Sequence, residues 1–192
     1  MWPWEHLAVG YLAYSLGLRA LDRDPPTDGE AAALALATQL PDLVDKPLSW
    51  ELGWFPSGHA VGHSALVAVP LATVLLWRTR GTDRFRPTVA AAVGWWSHLL
   101  ADVLDPLRRG DPPVPDRLLW PLSDPAPYES DLGLARGVVY GRRLLAELAS
   151  VEPATVALYL LLVAAATAVW VADGHPGTGL VRRATAPLRT GE

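Results

Sequence analysis

Five apolar segments, separated by turn-rich polar stretches, limit how this chain can fold. They run over 6–21, 31–44, 60–77, 88–104 and 154–172. No alternating strand pattern appears, so the chain reads as all-α, a polytopic membrane helix bundle of four to five apolar helices. The segment 154–172 is nearly pure apolar and long enough to cross a bilayer. The segment 60–77 approaches that length, with Pro70 as a kink. The segment 31–44 is interrupted by Pro41, too short to span alone, and reads as a buried or half-inserted helix. Residues 132–150 have the spacing of an amphipathic helix lying on the membrane. Residues 174–192 read as a disordered tail after a single domain over 1–173.

The apolar segments are unusual in what they carry. His6, His59, His63 and His98 lie in or beside them, each near an acid: Glu5, Asp42, Asp45 or Asp102. An ionisable group in an apolar helix is expensive and usually has a partner and a task. Imidazole with carboxylate is a ligand set for a divalent metal. The chain has no cysteine, which excludes disulfides, thiolate metal sites, iron–sulfur clusters and a cysteine nucleophile. Any metal must therefore be held by His, Asp and Glu. A net charge of -4 gives no reason to expect nucleic acid as a partner. The apolar fraction of 51% points instead to the lipid bilayer, with Trp2, Trp4, Trp54, Trp95, Trp96, Trp120 and Trp170 suited to its interfaces. The N-terminus lacks a basic region and a small-residue cleavage site, so the first segment is expected to belong to the mature fold.

Helices joined by short loops alternate in direction. His6 begins the first segment, Asp42 and Asp45 end the second, His59 and His63 begin the third, and His98 and Asp102 end the fourth. All four sets then fall at one end of the bundle. His98 and Asp102 are four apart and share a helix face, and His59 and His63 have the same spacing. Side chains converging from several helices are how bundles build metal sites. Asp42 could instead cap a helix, Asp45 could pair with Lys46, and Ser57 reads as the N-cap of the third helix. Glu5 and Asp105 could support the ligands from behind. Arginines are denser opposite the site, in short loops, which leans toward an extracytoplasmic site.

The order His6 to Gly10, LPDLVD (Leu40 to Asp45), GHS (Gly62 to Ser64) and HLLAD (His98 to Asp102) resembles the YdjM-like family of membrane-bound metal-dependent hydrolases over roughly residues 1–110. The resemblance implies a polytopic membrane protein with a divalent-metal site and hydrolase activity. Carried over by position, His6, Asp42, His63, His98 and Asp102 match the family's polar residues, and Asp45 matches its second aspartate. His59 stands where the family often has arginine, and Gly62 where it has threonine. The stretch His98 to Pro106 is also similar to the His-x-x-x-Asp signature of zinc-dependent phospholipases C and P1-type nucleases, which points to phosphoesters.

A rival resemblance is carried by PSGHA (Pro56 to Ala60), similar to a motif of lipid phosphate phosphatases. There His98 would be a nucleophile oriented by Asp102. That class clamps its phosphate with arginine and lysine, and the position where its arginine is expected holds Ala92. The expectation is therefore metal chemistry. One or two divalent ions, zinc first, would be held by His6, Asp42, His63, His98 and Asp102. Asp45 would act as general base, with His59 beside it, and the substrate would be a lipid-like phosphoester or ester. The third reading is a non-enzymatic membrane protein whose His and Asp residues are structural.

Overall fold

In a computed structural model, the described residues are 1–123, 126–128, 130, 132–150 and 153–185, without the side chains of 109, 147–150, 153–155 and 184. Among them every regular element is helical. They are α1 (Pro3–Ala20), α2 (Asp28–Trp50), α3 (Ala65–Thr79), α4 (Phe85–Leu104), α5 (Arg136–Ser150), α6 (Pro153–Ala172) and α7 (Thr178–Thr185), with short 3-10 turns between α4 and α5.

The starts of the helices are written in the sequence. Pro3 occupies the first turn of α1, where its missing N–H costs nothing. Glu5 reaches back to accept the Trp2 N–H at 2.8 Å. Thr27 and Glu30 form a capping box at the start of α2. The second segment does not stop at its proline: α2 continues through Pro41 and Pro47 to Trp50. Tertiary packing outweighs the lost helix hydrogen bonds there. The third helix begins at Ala65, later than the apolar run predicts, with Ser64 and not Ser57 at its N-cap. His59 and His63 therefore lie on an irregular loop, and their spacing of four is not a helix face. Part of the expected tail is ordered as α7; residues 186–192 lie outside the described residues.

Helix α4 packs against α1, α2 and α3, while α6 lies on α1 and α7 on α2. Close approach depends on two glycines. A Cβ on Gly94 would stand 2.7 Å from the Leu34 carbonyl oxygen, and one on Gly10 would stand 2.6 Å from Thr38 Cγ2. Tyr11, Tyr14, Leu34 and Ala90 fill one part of the core, and Ala68, Trp95 and Leu99 another. Trp95 is thus a core residue, not an interfacial one. Two polar clamps hold the end remote from the site. The Asp173 carboxylate accepts hydrogen bonds from Tyr11 Oη at 2.7 Å and Ser15 Oγ at 2.6 Å and pairs with Arg19. Glu30 pairs with Arg86 at 2.9 Å.

The outer faces of α3 and α6 are apolar. Leu66, Val69, Val74, Leu75 and Trp77 on α3, and Leu158, Leu160 and Leu161 on α6, are all exposed. Among the described residues no helix is long and apolar enough to cross a membrane. This corrects the reading of 60–77 as close to spanning, because α3 has only 15 residues. Helices α1, α2 and α4 and the loop between α2 and α3 carry the acids and histidines of the site. In α6, described side chains begin only at 156.

Gly94→Ala should destabilise the bundle by about 1–3 kcal/mol through overpacking. Gly17→Ala, where a Cβ meets nothing within 4 Å, should be neutral or stabilising. Thermal unfolding in detergent, followed by circular dichroism, checks both.

Candidate metal centre

Asp42 on α2, His63 on the α2–α3 loop, and His98 and Asp102 on α4 meet at one end of the bundle. Each offers a ligand atom, and all four atoms lie within 4.8 Å of one another. His63 and His98 are 1% and 0% exposed.

The tautomers follow from hydrogen bonds on the far side of each ring. His98 Nδ1–H donates to the Thr38 carbonyl at 2.7 Å. His63 Nδ1–H donates to Asp45 Oδ2 at 2.8 Å. In its neutral form each ring therefore presents an unprotonated Nε2, and the two Nε2 atoms face each other at 3.1 Å. Two such nitrogens and two carboxylates aimed at one buried point favour a positive charge between them, whether a proton on His63 Nε2 or a metal cation. The spacings fit a metal cation. His63 Nε2 is 3.6 Å from Asp42 Oδ1 and 3.5 Å from Asp102 Oδ2. His98 Nε2 is 3.9 Å and 3.6 Å from the same atoms. A tetrahedral ion with ligand distances of about 2.0–2.1 Å needs ligand atoms roughly 3.3–3.4 Å apart.

The surrounding residues hold this set in place. Asp45 is fully buried and accepts N–H bonds from Ala60 (2.7 Å), Gly62 (2.8 Å) and His63 (3.1 Å), as well as the His63 ring bond. On the other side the Trp95 indole N–H donates to the Gly62 carbonyl at 2.7 Å. A Cβ on Gly62 would lie 2.8 Å from Pro41 Cα, so no threonine fits here. Lys46 pairs with Asp42, one helical turn away, and not with Asp45. Carboxylate–histidine–metal relays of this kind fix ring orientation and raise ligand basicity.

Burial works against the charged form of His63. The carboxylates of Asp102 and Asp45 outweigh it and hold its pKa above the ordinary value. The field that favours a proton on His63 also favours a metal cation beside it. His59 is held below its ordinary value by burial, with Asp102 acting in the opposite direction. Its Nε2 lies 3.7 Å from Asp102 Oδ2, at the more open side of the cluster, and its side chain is 24% exposed.

His6 is buried against the cluster but is not one of the four. Its ring stacks on that of His98 with centroids 3.7 Å apart. Glu5 accepts the Arg108 guanidinium at 2.7 Å, which ties α1 to the turn after α4. The histidine-nucleophile reading does not fit, because Asp102 is not bonded to His98 Nδ1, where an orienting acid belongs. The Thr38 carbonyl takes that place, and no sequence signal marks a backbone carbonyl for the task. The sequence sets Lys46 beside Asp45; its spacing of four from Asp42 is the signal for the pair that forms.

Fold and site together define an all-α protein with a buried His/Asp group able to hold a metal ion beneath an apolar exterior. The family model described as YdjM inner membrane protein matches residues 1–175, and the chain belongs to that family. No curated protein and no solved structure matches the chain. The family supports a membrane location, in keeping with the exposed apolar faces of α3 and α6.

Asp45→Asn should turn an amide N–H₂ toward the loop's N–H donors and release His63. Metal affinity should fall about 10–100-fold, the usual cost of losing such a support. Competition titration against a chelating dye measures it, and Gly62→Ala should behave in the same way.

Proposed function

We propose that this protein is a membrane-bound, metal-dependent hydrolase acting on a phosphoester or ester of a lipid-like substrate. The observation that carries the reading is the pair of imidazole Nε2 atoms, turned inward by the outer hydrogen bonds of their rings and facing each other between two carboxylates. Two nitrogens and two oxygens at tetrahedral spacing favour zinc as the ion. When bound, the ion lowers the pKa of water toward neutrality and polarises a phosphoryl or carbonyl oxygen.

The chain supplies the rest. Asp45 orients His63; with its oxygens engaged by three backbone N–H groups and an imidazole, it is not placed to take a proton from water, as its sequence position had led us to expect. Lys46 offsets one oxygen of Asp42 and leaves the other for the ion. His59, partly exposed and next to Asp102, is the side chain positioned to exchange a proton with substrate at Nε2. The apolar outer faces of α3 and α6 support immersion in the bilayer, which brings an amphiphilic substrate to the site by lateral diffusion. The arginine distribution supports an extracytoplasmic location for the site.

Detergent-purified protein should retain a divalent metal, and His63→Ala and Asp102→Ala should reduce the content to background in elemental analysis. A panel of phosphoesters and carboxylic esters should be hydrolysed by the wild type and not after chelation. Metal retained in full by both variants would show the polar cluster to be structural.

A further inference from the structure

The segment after α4 runs back to the α2–α3 loop and is fastened at three points. Val114 N–H donates to the Val103 carbonyl at 3.1 Å, near the end of α4. Leu118 packs on the core group of Ala68, Trp95 and Leu99. The Trp120 carbonyl accepts Ser64 Oγ–H at 2.6 Å, next to His63. Arg117 lies between these anchors, in a short 3-10 turn (Pro115–Leu118). Its Nη1 donates to the main-chain carbonyl of Asp102 at 3.2 Å. The guanidinium is thus held against the residue whose Oδ2 stands 3.5 Å from His63 and 3.7 Å from His59. Burial is the main reason His59 is held below its ordinary value, and the Arg117 charge adds to it, so the guanidinium lies within electrostatic reach of that ring.

The acids around the cluster already have their cations. Asp42 pairs with Lys46, Asp102 with the Met1 ammonium at 3.3 Å, and Glu5 with Arg108 at 2.7 Å. Arg117 forms no ion pair with any described residue, and only one of its N–H donors is spent, on the Asp102 carbonyl. It is a surplus positive charge, half-buried beside the more open side of the cluster. A planar guanidinium fork matches phosphoryl oxygens, whereas a neutral carboxylic ester offers it no charge. We propose that Arg117 forms, beside His59 and the candidate metal centre, a subsite for the non-bridging phosphoryl oxygens of an anionic phosphoester, which makes phosphoesters rather than carboxylic esters the substrate class. The inference rests on the hydrolase reading and deepens it. The task of Arg117 is to bind and orient; its guanidinium stays protonated throughout. A cation on the last turn of α4 also complements the helix dipole, so capping is the rival role for this residue.

Calorimetric titration of the zinc-loaded full chain in detergent with inorganic phosphate, and with a short-chain phosphatidic acid, tests this. The wild type should bind both. Arg117→Gln should lose about tenfold in affinity for both, the cost of one charge-assisted hydrogen bond, with metal content and thermal unfolding unchanged. Phosphatidic acid should bind more tightly than phosphate; the reverse order assigns the subsite to the free anion and overturns the substrate class. A second measurement needs no variant: phosphate should protect Arg117 of the wild type from phenylglyoxal, read by peptide mass spectrometry. Phosphate affinity unchanged in Arg117→Gln overturns the subsite and leaves the metal reading standing. A variant that unfolds or loses its metal, with no protection of Arg117 in the wild type, shows a cap on α4 and also overturns it. A wild type that holds no metal overturns the hydrolase reading, and this inference with it.

Discussion

The carboxylate of Asp45 accepts three backbone N–H groups from residues 60, 62 and 63 and the Nδ1–H of His63. The loop between α2 and α3 has no regular structure to hold its shape, and this one buried acid fixes its last part, residues 60–63. It also decides which nitrogen of His63 carries the proton. Hydrogen bonds to a charged acceptor are worth more than neutral ones, and burial raises what is lost if they break. Gly62 allows the loop to approach α2 closely enough for those bonds, and Trp95 holds it from α4. The position of His63, and with it the convergence on α4, depends on this contact.

The histidines and aspartates were legible as a set because they violate the apolar pattern around them. Alternating helix directions placed them at one end without knowledge of a single contact. Asp42, His63, His98 and Asp102 meet as that reasoning required. What could not be read was how the ligands are supported. Asp45 looks like Asp42 in sequence, three residues away at a proline-marked site, yet one faces the cluster and the other faces the loop. Only the path of the loop distinguishes them. The Thr38 carbonyl that orients His98 has no side-chain signature. Pro41 was read as a helix break, but α2 continues past it, since local propensity yields to packing against α1 and α4. The i,i+4 spacing of His59 and His63 suggested a helix where glycines and Pro56 shape an irregular loop.

The exterior and the site make opposite demands. Outward, α3 and α6 present leucine, valine and tryptophan, which suit hydrocarbon better than water. Inward, α1, α2 and α4 bury acids, histidines and tyrosines. A bundle in lipid gains little from burying more apolar surface, so close packing and internal polar bonds must hold it together. Gly10 and Gly94, which bring α1, α2 and α4 into near backbone contact, provide the first of these. The paired carboxylates at both ends provide the second.

The clamps remote from the cluster bear on what holds the fold together. Asp173 ties α6 to α1 through Tyr11, Ser15 and Arg19, and Glu30 ties α2 to α4 through Arg86. None of these bonds involves the histidine cluster. The scaffold is therefore fastened at that end by its own side chains, unlike small zinc domains that are unfolded without metal. On the metal reading proposed above, loss of the ion would leave this end of the bundle fastened.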